Sequence, residues 1–301
     1  MRAVRWILGV LATLALTVTV ASIAYNALTS DPNVPVQALW NGRFEGNTAY
    51  RQWGTQGQTI VLLGGFLEPS FVWEGVGPLL ARHARVYALD LDGFGYSVRR
   101  GPWTLARWTS QVTRFIRVLH LGTPVVAGHS LGAAVAVELA RRGVASRAVL
   151  LDGDAVRGGG PPHWLRAMLA RLPFLTTAFR LVPHWDWAVR RVLANAYGPE
   201  RPPLDAAELA RWTDQFRAKG ARRAFRGILE AGIPGFTRTE LRQLDVHATV
   251  VWGARDAVDP VAAGRQTARD LHARFVEISG AGHLSMLETA PRIAGAIASG
   301  R

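Results

Sequence analysis

The stretch Pro124-Val125-Val126-Ala127-Gly128-His129-Ser130-Leu131-Gly132 decides how the rest of the chain is read. An apolar, β-type run ends in Gly-x-Ser-x-Gly, and Ala133–Arg142 then carries a helical pattern. This is the pattern of a nucleophile elbow, a tight strand-to-helix turn that presents a serine hydroxyl at the end of a sheet. The turn leaves no room for side chains at Gly128 and Gly132. The helix that follows points its N-terminus at the serine and favours negative charge developing there.

The flanking sequence alternates between strand and helix. Asn41–Trp53 reads as an opening hairpin and Thr59–Leu63 as a buried strand ending at Gly64-Gly65. Ser70–Leu80 reads as a helix, Val86–Leu91 as a strand, Leu105–Leu119 as a helix and Thr123–Ala127 as the strand feeding the elbow. Ala148–Leu151 is a further buried strand. The alternation predicts an α/β fold, a parallel sheet covered by helices on both faces. The rhythm breaks at Gly153. From there to Asp245 the patterns are helical, best at Trp164–Leu172, Trp185–Tyr197, Asp205–Lys219 and Ala221–Glu230. So long a segment is no ordinary loop. It predicts a helical cap over residues 153–245, dividing a core of residues 41–152 and 246–301. Ala248–Trp252 and Arg274–Ile278 resume the strands, and Ala290–Ala298 closes the chain as a helix.

A serine hydroxyl is a poor nucleophile until a base takes its proton, and the base needs an orienting acid. With this elbow the order along the chain is serine, acid, histidine. His283, in Ser279-Gly280-Ala281-Gly282-His283 after the last predicted strand, has the setting of the base. His129 adjoins the serine with its side chain directed elsewhere, and His120, His163, His184, His247 and His272 lack a comparable setting. Asp256, in the tight loop Trp252-Gly253-Ala254-Arg255-Asp256, is the preferred acid. Asp259 reads instead as a turn or helix start before Pro260, and Asp152 and Asp154 form a third option. Two backbone N–H groups must hold the oxyanion. They are assigned to Leu131, the residue after the nucleophile, and to Phe66 in the Gly64-Gly65-Phe66 loop.

Four motifs together make the chain resemble the α/β-hydrolase superfamily in its branch with a helical cap. They are Gly64-Gly65-Phe66, Asp90-Leu91-Asp92-Gly93-Phe94-Gly95-Tyr96-Ser97, Gly128-His129-Ser130-Leu131-Gly132, and the pair Asp256 and His283. The resemblance runs from Asn41 to Arg301 and implies a mainly parallel eight-stranded sheet, with the cap inserted after the sixth strand. This chain departs from the pattern in two places. The family often has His-Gly-Phe where Gly64-Gly65-Phe66 stands, and usually proline at the position of Asp92. Serine at the elbow argues against the haloalkane-dehalogenase and epoxide-hydrolase members, which carry aspartate there.

Composition narrows the function further. The chain of 301 residues has no cysteine and a formal charge of +13, carried almost wholly by arginine, with Lys219 the one lysine. Disulfides, thiolate nucleophiles and cysteine-ligated metals are excluded. The arginines are scattered, with no basic arm or aromatic interleaving, so a nucleic-acid partner is not expected. The histidines lack metal-ligand spacing and no phosphate loop is present, so neither a metal nor a cofactor is expected.

At the N-terminus, Trp6–Ala24 carries no charge. As a helix it would span about 28 Å, close to the hydrocarbon thickness of a bilayer. Two arginines precede it and Asp31 follows, which predicts a membrane anchor over residues 1–28 with the catalytic part outside the cytoplasm. The competing reading is a signal peptide cleaved after Ser22-Ile23-Ala24, giving a secreted protein. Residues 29–40 read as a polar linker.

The leading function is a serine hydrolase that cleaves small-molecule carboxylic esters, hydrophobic or lipid esters included, through an acyl-enzyme. Trp164, Leu165, Met168, Leu169, Phe174, Phe179, Trp185 and Trp187 of the cap are expected to line an acyl pocket or to fix cap to core. The same triad also serves C–C bond, amide or peptide hydrolysis and perhydrolysis. A membrane-tethered binding protein that keeps the fold without catalysis is the reading of a different class.

Overall fold

Val61 and Leu63 point to one face of a central sheet, Ile60 and Leu62 to the other, and all four are buried. Covering both faces turns the alternating pattern of a strand into a continuous apolar run. The computed structural model describes residues 2–158 and 161–299; Met1, Gly159, Gly160, Gly300 and Arg301 lie outside them. The strands are β1 (Arg43–Glu45), β2 (Thr48–Trp53), β3 (Gln58–Leu63), β4 (Ala84–Leu89), β5 (Val125–His129), β6 (Arg147–Leu151), β7 (Ala248–Gly253) and β8 (Arg274–Ile278). They form one sheet of 8 strands in the order β1-β2-β4-β3-β5-β6-β7-β8. β1 pairs with β2 and β2 with β4 in antiparallel fashion, and every later pairing is parallel. The strand that feeds the elbow therefore lies at the centre of the sheet.

The long helices are α1 (Arg2–Leu28), α2 (Leu105–Val118), α3 (Leu131–Arg141), α4 (His163–Ala170), α5 (Pro173–Leu181), α6 (Asp186–Ala196), α7 (Ala206–Thr213), α8 (Ala221–Ala231), α9 (Val261–Asp270) and α10 (Ala290–Ala298). Helices α4 to α8 all lie between β6 and β7, in the segment where strand character lapses. Two expected helices need correction, and one further helix, α5, was not expected. Ser70–Leu80 is not one helix but a 3₁₀ turn at Ser70–Trp73 and a short helix at Gly77–Leu80. The break falls over residues 74–76, and Pro78 stands in the first turn of the short helix, where its missing N–H costs no intrahelical bond. α5 begins at Pro173, where the fixed φ of proline suits a first helical turn. Asp205–Lys219 ends as α7 at Thr213 and tightens into a 3₁₀ turn over Asp214–Arg217.

Residues 29–40 are tied down rather than free. Val34 exchanges backbone hydrogen bonds with Arg217 and Lys219, and Trp40 stacks on Tyr96 at 5.1 Å. α1 is 6% buried over its most apolar window, yet its end is bonded to α5. Asn26 donates to the Pro173 carbonyl at 2.8 Å, and Arg180 pairs with Asp31 at 2.9 Å.

Candidate active site

The sequence-predicted residues lie in loops at the carboxyl edge of the sheet, where α/β folds place their ligand crevices; Asp256 and His283 are in contact there, and among the described residues no hydrogen bond joins His283 to Ser130. Ser130 joins β5 to α3 with φ +48° and ψ −116°. A side-chain-bearing residue held there costs about 1–3 kcal/mol and persists only under restraint. Its N–H donates to the Leu151 carbonyl on β6 at 2.9 Å, and its carbonyl accepts from Ala133 at 3.0 Å. A Cβ at Gly128 would fall 2.1 Å from the Gly132 carbonyl oxygen, so only glycine lets the chain reverse so sharply. A Cβ at Gly65 would stand 2.9 Å from the Ser130 Cβ, which shows how closely the loop after β3 approaches.

His283 follows β8, and its Nδ1 lies 2.8 Å from Asp256 Oδ2. The other oxygen of Asp256 accepts from the N–H groups of Val258 and Asp259, both at 2.8 Å. A carboxylate can only accept, so Nδ1 carries the proton and Nε2 is left as a base. The main-chain N–H of His283 donates to the Ala196 carbonyl at 2.8 Å, tying the histidine loop to the end of α6.

The other carboxylates have different duties. Asp152 accepts from the Gly253 N–H at 2.6 Å and from the Ser285 hydroxyl, and burial pushes its carboxyl up to about 7 against the pull of His129 and His283. Asp154 accepts from Val156 at 2.9 Å and faces Arg238. Asp259 lines a cleft of about 280 Å³ with Ser130, Leu131 and Gly153. Burial, then the like charges of Asp154 and Asp256, lift its carboxyl to about 6. The N–H groups of Phe66 and Leu131 donate to no acceptor among the described residues. The Phe66 ring packs on Phe94 and Phe225, at 5.7 and 5.9 Å.

Sequence reasoning missed the role of His129. Its ring is fully buried beneath the elbow, with Nδ1 at 2.7 Å from Glu68 Oε2 and Nε2 at 2.7 Å from the His283 carbonyl. Both neighbours are acceptors, so both ring nitrogens bear protons and the imidazole is a cation. Burial opposes that charge, but Glu68 and Asp152 outweigh it and raise the pKa to about 9. The same Glu68 oxygen accepts from the Gly65 N–H at 2.6 Å. One ion pair thus ties together the loop after β3, the elbow and the backbone of the histidine loop. The available signal was Glu68 three residues past Gly65, an acid within a turn of the glycine loop.

The insertion encloses a second, apolar cavity of about 230 Å³, lined by Leu67, Phe179, Leu193, Trp212, Phe216 and Phe225 among others. Of the eight residues expected to line an acyl pocket or to fix cap to core, only Phe179 lines this cavity. Trp164, Met168, Leu169, Phe174, Trp185 and Trp187 face outward. Gln215 links this insertion to the glycine loop by donating to the Leu67 carbonyl at 2.7 Å. Among the described residues no group of His, Asp and Glu is gathered as a metal site.

Residues 60–296 match the alpha/beta hydrolase family. The chain belongs to that family. It is 27% identical over 247 residues to an uncharacterised protein of Mycobacterium tuberculosis, covering 75% of this chain and 70% of that one. Among solved structures it is similar to the enol-lactonase from Burkholderia xenovorans LB400, with TM-score 0.70 and 25% identity over 84% of this chain and 95% of that one. A membrane phospholipase A shares the fold over 97% of this chain and 96% of its own, with TM-score 0.66 and 22% identity.

The His129 cation has a pKa above its ordinary 6.5, so the stability it contributes is complete below about pH 6.5 and is lost as pH rises through about 9. The Tm should fall across that window. Glu68→Gln, which strands the buried cation, should cost about 3 kcal/mol at pH 7 and flatten the slope. A wild-type Tm that stays level from pH 6.5 to about 9.5 contradicts the assignment.

Proposed function

We propose that this hydrolase cleaves carboxylic esters of hydrophobic acids through an acyl-enzyme. Ser130 is the nucleophile, His283 the base and then the acid, and Asp256 the group that orients the imidazole. The observation that carries this reading is the 2.8 Å contact between His283 Nδ1 and Asp256, on the same sheet edge as the strained serine. His283 Nε2 takes the hydroxyl proton as the serine oxygen attacks the carbonyl, and the tetrahedral oxyanion falls to the N–H groups of Phe66 and Leu131. The imidazolium then protonates the leaving alcohol. Water, deprotonated by His283, releases the acid and restores the serine.

Two observations support an ester with a hydrophobic acyl group. The enol-lactonase to which the chain is similar is named for a lactone, which is a cyclic ester. The apolar cavity has Leu67, the residue after the proposed oxyanion donor, in its wall, and we assign the acyl chain to it. We further read Val4–Leu28, with mean hydropathy 2.3, as a membrane anchor holding the catalytic domain outside the cytoplasm. The bonds from Asn26 and Asp31 to α5 hold that helix against the insertion.

Ser130→Ala should lower kcat on p-nitrophenyl butyrate by at least about 10⁴-fold with Tm unchanged, and Asp256→Asn by about 10⁴-fold; undiminished turnover by either contradicts the triad. Leu193→Trp, which fills the apolar cavity, should reduce kcat/KM for p-nitrophenyl decanoate at least about tenfold and leave the acetate within about twofold. Equal losses on both esters place the acyl chain elsewhere. The full chain should stay in the membrane fraction after alkaline carbonate extraction, and its release to the supernatant defeats the anchor.

A further inference from the structure

A further cavity, of about 710 Å³, lies where the chain leaves α1. Asp31, Pro35, Val36 and Gln37 form one wall, and Arg99, Arg100, Lys219, Arg222 and Arg223 bring five cationic side chains to the others. It shares no lining residue with the cleft at Ser130. Asp31 is its one carboxylate among the described lining residues, and that group is engaged by Arg222 at 2.7 Å and by Arg180 at 2.9 Å. Burial pushes Asp31 up, but the two guanidinium groups outweigh it and leave its carboxyl below the ordinary value. Arg99, Arg100, Lys219 and Arg223 have no carboxylate within ion-pair distance among the described residues.

Arg99 is the telling member. It is 4% exposed, and its guanidinium donates only to main-chain carbonyls, those of Gly95, Ser97 and Gln215. Its Nε–H has no acceptor among the described residues. The nearby Asp90 is committed elsewhere, to the N–H groups of Ser70 at 2.5 Å and Tyr96 at 2.7 Å. A buried cation with no carboxylate at ion-pair distance is costly, and the more distant Asp90 and the carbonyl dipoles return only part of that cost. The missing component is an anion. The walls that would receive it are already fixed, since the Lys219 N–H donates to the Val34 carbonyl at 2.8 Å and Arg223 donates to the Arg99 carbonyl at 2.9 Å.

We propose that this cavity binds a phosphate anion carried on the headgroup of an anionic phospholipid, at a site separate from Ser130. Planar guanidinium forks suit phosphate oxygens, and the lysine adds a point charge. The lipid source follows from position: Asp31 stands three residues after the end of α1 at Leu28, so the cavity opens at the level of the membrane surface. This assignment of the source rests on reading α1 as a membrane anchor. A zwitterionic headgroup would bring its own cation into a cavity that already has a surplus, so an acidic lipid is preferred.

The test uses the full chain in neutral detergent micelles, with Tm followed against phosphatidylglycerol, phosphatidylcholine or inorganic phosphate. Phosphatidylglycerol should act at a concentration at least about tenfold below that of phosphatidylcholine. The double variant Lys219→Glu/Arg223→Glu, both exposed positions, should abolish that preference while fluorophosphonate labelling of Ser130 is unchanged. Equal response to both lipids, or a preference that survives the double variant, overturns the site. Inorganic phosphate acting at the same concentration as phosphatidylglycerol overturns the lipid source. Release of the full chain by alkaline carbonate strikes at the anchor alone, because the micelle measurement reads the preference without a bilayer.

Discussion

At Ser130 the backbone passes through a conformation, φ +48°, that an L residue keeps only under restraint, and much of the carboxyl edge of the sheet supplies the restraint. β6 holds the serine N–H, and the first turn of α3 holds its carbonyl. Beneath the turn lies a buried imidazolium, His129, bonded on one side to Glu68 and on the other to the His283 backbone. Glu68 in turn fixes Gly65, the residue before Phe66. Ser130, the His283 loop and the glycine loop are therefore positioned by buried polar contacts that meet at the elbow. Each contact is short and shielded from water, the setting in which such a network is rigid when complete and costly when broken.

The parts of this arrangement legible in the sequence are those governed by local rules. The elbow was readable because steric exclusion at Gly128 and Gly132 writes itself into five consecutive residues. Asp256 was readable because it sits just past a buried strand, and His283 because it follows a glycine-rich loop after the last strand; the structure brings them within 2.8 Å of each other. The Glu68–His129 pair was not, since its members are 61 residues apart and only the pairing of β3 with β5 sets them together. The cap was the hardest segment to read. Trp164, Trp185 and Trp187 carry the same apolar signal as Phe179, yet they face outward while Phe179 lines the cavity. Composition marks a helix as apolar; which face is turned inward is settled by packing against distant elements.

The insertion is more than a cover over the sheet. Ala196 at the end of α6 holds the His283 backbone, and Gln215 holds the Leu67 carbonyl beside the glycine loop. Arg180 on α5 holds Asp31 and the end of α1. The segments that wall the apolar cavity thus contact the His283 loop, the glycine loop and the N-terminal helix.

In the proposed reaction Ser130 carries the acyl group between attack and release. Rapid-quench mass spectrometry of the full chain, mixed with p-nitrophenyl butyrate and digested at acid pH, tests it directly. A transient butyryl adduct on the peptide containing Ser130, formed and lost at rates that match turnover, is the predicted result. Steady hydrolysis with that peptide unmodified at every time point would contradict it.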